Sequence, residues 1–336
     1  MPGLYGDISA RVGIFASTRL LADAKENLVL SRWALQQDIP KNRGTTINWR
    51  RYSNLATAVS PIVGSNTPDG QELAYTNITA TIQQFGSWVP VSQVIRDTHE
   101  DPILQQASDK LSFQMAKTIE TLTFNTVVGG TNVHYVGAPT VTARTGVNAV
   151  INRKDFRQAT RTLLNYDASE ITSLVRSTPD YATHGIEPAF FAYAHTDLDA
   201  AFRAMTGFIP VSEYSSRLTP LKGEVGSVEK VRIILSNIAV PFAGGGASGG
   251  TNVIETGGNA DVYPILIFAQ EAFATTKLSG MNAARLMVHN PQVTESDPLG
   301  QRGSVGWISW FASAILNQNF MVRIETAAPD AAGISN

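Results

Sequence analysis

The 336-residue chain contains no cysteine. That excludes disulfides, thiolate nucleophiles and cysteine-held zinc or iron–sulfur centres. Charge is also scarce: Asp, Glu, Lys and Arg together make up 16%, against about 25% in a typical soluble domain. A surface so poor in charge implies that much of it is covered, most simply by copies of the same chain. The 26 basic and 28 acidic residues leave a net charge of −2, too neutral for a dedicated nucleic-acid binder that works through a positive field. No apolar run approaches the about 20 residues of a membrane-spanning helix. The longest, Val231 to Val240 and Val262 to Phe268, are of strand length. The opening Met1-Pro2-Gly3-Leu4-Tyr5-Gly6-Asp7 lacks the basic and apolar regions of a secretory signal. Together these absences predict a soluble protein kept inside a cell, or inside something assembled in one.

What is present begins with 43% hydrophobic residues, enough for a sizeable core at this length. Residues 1–44 read as an arm, in which Leu21, Ala24, Leu28 and Leu35 predict a short amphipathic helix starting after Ser17 or Thr18. A lone helix needs a neighbour to pack on. Residues 45–92 read as a long hairpin, with one strand at 45–52 and an alternating segment at 74–91 that sets Ile78, Ala80 and Ile82 on one side of the pleat. Between them lies a turn-rich stretch around Pro61, Gly64, Pro68, Asp69 and Gly70. A two-stranded ribbon of this length is marginal alone, so it is expected to lie on another chain. Asp101 as N-cap and Pro102 at the first turn predict a helix carrying Ile103, Ala107, Leu111, Met115, Ile119 and Leu122, stopped by Gly129-Gly130. At about 1.5 Å per residue it would be a rod of roughly 40 Å, suited to a spine.

Further on, Asn152 is expected to cap a helix whose face holds Phe156, Ala159, Leu163 and Leu164. Residues 189–194 read as a strand, and Asp197 opens a short helix with Leu198, Ala201, Phe202 and Met205 inward. Strands are expected at 230–241, 262–268, 284–289 and 305–325. No internal repeat and no regular β-α-β alternation is present. Gly244 to Gly250 is a flexible loop by composition.

Catalytic signals are weak. Gly244, Gly246 and Gly249 fit a dinucleotide fingerprint, and Gly246-Ala247-Ser248-Gly249-Gly250 fits a nucleophile elbow, but both need a following helix. The residues that follow, Thr251 to Gly258, are β-branched and glycine-rich, so the matches are expected to be accidental. The five histidines (His99, His134, His184, His195 and His289) form no pair at helical metal-ligand spacing. Glu100-Asp101 and Asp197 with Asp199 sit where helix N-termini favour negative charge. Glu295 with Asp297 is a further acidic pair, and a glycosidase stays possible without support, because spacing alone does not identify its carboxylates. Lys41, Arg43, Arg50 and Arg51 form a basic cluster with no acid between residues 39 and 68. It could meet phosphates, meet an acidic patch on a partner chain, or be a solvated strand edge. Inter-chain contact is favoured, because the cluster joins arm to hairpin. Trp307, Trp310 and Phe311 are expected in packing rather than in a ligand platform.

The order of arm, long hairpin, spine helix, mixed lobe and returning strands resembles the major capsid proteins of tailed bacteriophages, with the Hong Kong 97-type fold. More specifically it resembles the family typified by the podovirus N-four. The motifs that carry the likeness are Thr67-Pro68-Asp69-Gly70-Gln71, Gly129-Gly130-Thr131-Asn132-Val133 with Tyr135, Gly223 to Val228, Asp297 to Trp307 and Leu316 to Glu325. The resemblance implies an α+β capsid fold with an N-terminal arm at 1–44 and an extended hairpin loop at 45–92. A peripheral domain with the spine helix would follow at 93–164, an axial domain at 165–285, and peripheral return strands with a C-terminal tail at 286–336.

It further implies a structural protein, not an enzyme, with no catalytic residue, cofactor or metal. Its copies would form pentamers and hexamers of an icosahedral virion shell around double-stranded DNA held without sequence specificity, assembled in the cytoplasm of a bacterial host. A portal protein at one vertex, a separate scaffolding protein and a decoration or cement protein are the expected partners, and a membrane is not. Lys41, Arg43, Arg50, Arg51, Pro68, Asp69 and Gly70 are the expected inter-subunit contacts. Residues 45–92 contain no lysine, so the lysine crosslink of the fold's founding member is not expected. The roughly 44 residues before the hairpin are too few for a built-in scaffolding domain. Rival readings are a cellular nanocompartment shell of the same fold, another phage part such as a tail tube, and a β-rich hydrolase using Ser248.

Overall fold

The computed structural model describes residues 29–40, 42–59, 70–92, 103–175, 183–214, 220–221, 223–278, 284–289, 293 and 298–331. The expected arm helix before residue 29, Lys41, Pro68, Asp69, His99, Glu100, Asp101, Pro102, Glu295 and Asp297 lie outside them.

In chain order, the arm ends in a 3-10 turn at Leu30–Arg32 and strand β1 at Leu35–Gln36. The ribbon is β2 (Thr46–Tyr52) and β3 (Tyr75–Thr81), followed at once by β4 (Gln83–Ser92). Helix α1 (Ile103–Val127) leads to β5 (Val133–Tyr135) and then α2 (Arg153–Asn165). Strands β6 (Ile171–Val175) and β7 (Thr183–Ala194) precede the short α3 (Asp199–Arg203). Next come β8 (Phe208–Pro210), β9 (Glu224–Val228), β10 (Val231–Leu235), β11 (Glu255–Thr256), β12 (Asn259–Ala260), β13 (Val262–Phe268) and β14 (Phe273–Lys277). The chain closes with β15 (Ala284–His289), β16 (Arg302–Ile315) and β17 (Met321–Ala327).

Among the described residues, the larger sheet has eight strands in the order β5-β17-β13-β7-β10-β9-β8, with β6 also on β7. Its middle strands are apolar without alternation: Phe190 to Ala194 and Val262 to Phe268 are buried throughout. Such a run needs cover on both faces, and the chain supplies it. Phe190, Ala192, Ile265, Ile267 and Ile233 pack against Phe156, Ala159 and Leu163 of α2 and against Leu198, just before α3, and Phe202 within it. On the other face Phe191, Tyr193, Leu266 and Phe268 meet Leu30 and Trp33 of the arm and Phe124 and Val127 of α1. The arm residues from 29 onward are therefore packed on their own chain, and Leu35 lies in β1 instead of on a helix. β1 runs parallel to β14, and the Ile39 amide donates to the Lys277 carbonyl at 2.9 Å.

The second sheet has five strands, β1-β14-β16-β15 with β4 added on β16. Val91, Leu286, Val305 and Trp307 on one face pack against Leu111, Met115 and Ala116 of α1. α1 thus serves two cores, its first half on this sheet and its last turns on the larger one, which is why its 25 residues are needed. Its polar interior positions are satisfied locally: Thr118, Thr121, Thr123 and Thr126 each donate to the carbonyl four residues back. The helix closes at Gly129-Gly130, where a β-carbon on Gly130 would come within 2.7 Å of the Met321 methyl.

Several expectations shift. The alternating segment 74–91 is broken at Ile82: β3 pairs with β2, but β4 leaves the ribbon and pairs with β16 from Arg302–Ser92 to Phe311–Gln83. The run 305–325 is interrupted by a 3-10 turn at Gln318–Phe320, where the Asn317 side chain accepts from the Asn319 amide. β10 stops at Leu235, because Ser236 opens a turn. Asn152 caps α2 reciprocally with Asp155, but Leu164 faces solvent.

Candidate assembly surface

The ribbon β2–β3 has two unlike faces, set by the period of two along each strand. One face carries Ile47, Trp49, Ile78 and Ala80, half or fully buried. The other carries Thr46, Asn48, Arg50 and Tyr52 on β2 opposite Thr81, Thr79, Asn77 and Tyr75 on β3, and every one of these is exposed. On that open face Tyr52 and Tyr75 meet edge to face with centroids 6.1 Å apart. The Arg50 guanidinium lies 4.4 Å from the Tyr75 centroid, and its Nε donates to Asn77 Oδ1 at 3.3 Å. The cation is held in place before any partner arrives, without a carboxylate. Beyond the strands, Leu55, Val59 and Leu73 are also exposed. The Gln71 side chain donates to the Ala56 carbonyl at 3.0 Å, which keeps the two limbs together. Tyrosine, arginine and apolar groups together are the composition of interface centres; Glu72, beside Leu73, is an exposed acid at this end of the ribbon.

The basic residues singled out from the sequence are not one patch. Arg43 sits in the turn before the ribbon, and Arg50 and Arg51, as neighbours on a strand, point to opposite faces; all three are exposed. Gly70 is exposed near the far end. The tyrosine pair was not singled out, although two aromatics at equal distance from the turn are a readable cross-strand signal.

Buried polar groups tie the lobes together. Glu120, on the otherwise apolar side of α1, accepts from the Tyr193 hydroxyl at 2.8 Å and the Val29 amide at 3.3 Å. Burial pushes its carboxyl above the usual range, opposed by those two bonds and by Arg32. Glu325 is fully buried and takes both prongs of Arg144 at 2.7 and 2.8 Å, with Arg323 also 2.8 Å away. Burial lowers the affinity of Arg323 for its proton, and the Glu325 hydrogen bonds raise that of Arg144. Glu224 accepts from Arg232, the Tyr214 hydroxyl and the Leu221 amide. An isolated acid such as Glu120 inside a helical apolar pattern could have marked the first of these, and Glu224 with Arg232, eight residues on across the β9–β10 turn, could have marked the third; Arg144 and Glu325 are too distant in sequence to be paired from it.

The glycine loop has no catalytic geometry. No helix follows it, and the short hairpin β11–β12 does. Nor is it loose: the Gly244 amide donates to Asp261 Oδ1 at 2.6 Å, Gly246 to the Ala260 carbonyl at 2.9 Å and Ala247 to the Val147 carbonyl at 2.9 Å. The other candidates are likewise accounted for locally. His134 pairs with Asp155 at 3.1 Å, and His195 Nδ1 accepts from the Asp197 amide at 3.2 Å. Trp307 and Phe311 are core. Among the described residues no group of three or more His, Asp or Glu could hold a metal. No helix there is long and apolar enough to cross a membrane.

Comparison with known proteins decides what this architecture is for. The family described as phage capsid protein matches residues 75–324, about three quarters of the chain. The chain belongs to the phage capsid protein family. No curated protein sequence matches this capsid protein. Among solved structures it is similar to the capsid of Ralstonia phage GP4, with a TM-score of 0.66 and 13% identity over 90% of this chain and 91% of that one. It is also similar to the head of Helicobacter pylori bacteriophage KHP40, at 0.59 and 11% over 89% and 88%. A third likeness is to the SrpI encapsulin of Synechococcus elongatus PCC 7942, at 0.51 and 10% over 88% and 85%. The fold is Hong Kong 97-type, α+β, and the protein is a structural shell component, not an enzyme.

Proposed function

We propose that this capsid protein assembles as pentamers and hexamers into an icosahedral virion shell enclosing double-stranded DNA, with the ribbon laid over the adjacent subunit. The observation that carries this reading is the fully exposed ribbon face with its preset Arg50–Tyr75 stack, which no other part of the chain covers among the described residues. Each contact need only be moderate, because many repeated contacts stabilise a closed shell. The near-neutral chain limits repulsion between copies and holds DNA without sequence preference. Residues 93–164 and 286–336 form the peripheral domain and 165–285 the axial domain in this reading. A portal at one vertex, a separate scaffolding protein and an outer decoration protein complete the particle, which is built in the bacterial cytoplasm.

Replacing residues 55–73 by a short glycine linker tests the role of the ribbon. The chain should fold with its two cores intact and lose the ability to form particles; unchanged assembly would refute the reading. The likeness to an encapsulin supports a second reading, a protein-filled nanocompartment. Particles that carry DNA favour the first, and particles loaded with a protein cargo favour the second.

A further inference from the structure

Helix α2 carries Arg153, Lys154, Arg157 and Arg161, four of the chain's 26 basic residues within 13 positions. The net charge of −2 conceals this local concentration. Phe156, Ala159 and Leu163 turn one side of the helix into the core. The helical period therefore sets Lys154, Arg157, Gln158, Arg161 and Asn165 along the opposite side, and all five are exposed. Every one of them can donate a hydrogen bond, and none is acidic. Asp155, the acid of the helix, is buried and held by His134 and the Asn152 amide. Glu229, in the turn between β9 and β10, accepts from Arg153 Nε at 2.5 Å and from Arg157 Nε at 2.7 Å. It does so from a left-handed conformation with φ of 53°. The hydrogen bonds from Arg157 and Arg153 hold its carboxyl below the usual range. One carboxylate thus fixes two arginines, and Lys154 and Arg161 keep no acidic partner among the described residues. At the N-terminal end of the helix a cleft of about 590 Å³ continues this surface. Arg153 and Lys154 line it with Asn152, Thr206, Thr251 and Asn252, and no residue lining it is acidic.

We infer that this ridge of α2, with the cleft at its head, is the surface on which the phosphate backbone of the enclosed DNA lies. This side of the larger sheet then lines the shell. The inference rests on the proposed DNA-filled shell and names the surface that meets the DNA. The chemistry favours nucleic acid over a second protein chain. Interfaces between proteins have apolar and aromatic centres, whereas the one exposed apolar side chain of α2 is Leu164, in its last turn. On the ribbon, by contrast, Arg50 stands against Tyr75. On α1 the exposed Lys110 and Lys117 have Phe113, 58% exposed, between them. A duplex carries a negative charge about every 1.7 Å of its axis. Lys154 and Arg161 stand about 10 Å apart along the helix, at about 1.5 Å per residue. A row of donors on that scale meets several phosphates at any register and reads no base, as enclosing DNA without sequence preference requires.

The test has two arms. In assembled particles, acetylation of lysine amines is read by mass spectrometry in DNA-filled shells and in shells that have released their DNA. Lys154 should be modified about fivefold less, or lower still, in the filled shells, where phosphates cover it. Equal modification in the two would overturn the inference. The second arm is binding of the purified protein to a short DNA duplex at a series of salt concentrations. Lys154→Gln with Arg161→Gln keeps donors on the ridge and removes two charges. The double variant should bind about tenfold more weakly at low salt and lower the slope of log affinity against log salt by about two. An unchanged slope would overturn the inference. The same variant should form shells in wild-type yield; a variant that folds but forms none would make the ridge a contact between copies instead. DNA-filled particles with Lys154 unprotected would remove this surface alone, whereas particles that hold protein cargo and no DNA would remove the reading on which it rests.

Discussion

The Tyr193 hydroxyl donates to Glu120 Oε1 at 2.8 Å, joining helix α1 to the central strand β7 of the larger sheet, while Glu120 Oε2 receives the Val29 amide of the arm at 3.3 Å. A carboxylate that would otherwise be a cost in the core thus connects three segments. Burial raises the folded-state pKa of Glu120 above its unfolded value. The folded chain then binds this proton more tightly. The contribution of Glu120 to stability is greatest at low pH and is lost as pH rises from the ordinary carboxylate range through the raised value. Glu120→Gln keeps an acceptor and removes the titration. Relative to that variant, the wild type should gain stability as pH is lowered through this window. Denaturant unfolding at a series of pH values checks it, and a constant difference would contradict it. Glu120→Ala should cost about 1–3 kcal/mol at low pH, because both donors lose their acceptor, and less as pH rises through the same window.

Arg232 and Glu224 form a nearly solvent-free ion pair, with side chains 5% and 0% exposed. Removing one partner leaves a charge in a site that cannot hydrate it. Arg232→Met should therefore cost about 3–5 kcal/mol, and Arg232→Met with Glu224→Met should be less destabilised than that single variant. Thermal or urea unfolding of the three proteins decides it. A double variant worse than the single would show that Glu224, through the Tyr214 hydroxyl and the Leu221 amide, stabilises the fold even without Arg232.

Two residues of the glycine loop should differ in their response to substitution by alanine. A β-carbon on Gly246 would overlap the Val147 carbonyl and lie 2.8 Å from that of Ala260. Gly246→Ala should destabilise the fold by about 1–3 kcal/mol, because backbone cannot yield as a side chain does. Ser248→Ala should alter neither stability nor assembly. Loss of a hydrolytic activity in the serine variant would revive the catalytic reading of the loop.

With no cysteine in the chain and no lysine between residues 45 and 92, the shell should be held by non-covalent contacts alone. Particles boiled in detergent should run as a single band at the monomer mass. A covalent ladder would contradict this.

Much of the larger core was legible because its signals are local. Val262 to Phe268 is an apolar run bounded by Asp261 and by a turn, and it forms the strand expected. Asn152 with Asp155 is a capping pair readable within four residues. Helix α1 was legible from six apolar positions at helical spacing. What escaped depends on partners distant in sequence. β4 looked like the continuation of the ribbon, because nothing within residues 74–91 reveals that residues 302–311 take it as an edge strand. The glycine loop looked loose by composition, yet Asp261, Ala260 and Val147 hold it. The same gap hid the candidate assembly surface: basic residues adjacent in sequence separate onto opposite faces of β2, and the tyrosines that share the face of Arg50 stand on two strands.

The most direct measurement is negative-stain electron microscopy of the purified protein, produced together with the other head proteins of its phage, with sedimentation velocity on the same sample. The account predicts spherical shells, or rings of five and six subunits, sedimenting far ahead of the monomer. A single compact species near 36.2 kDa under those conditions would contradict it.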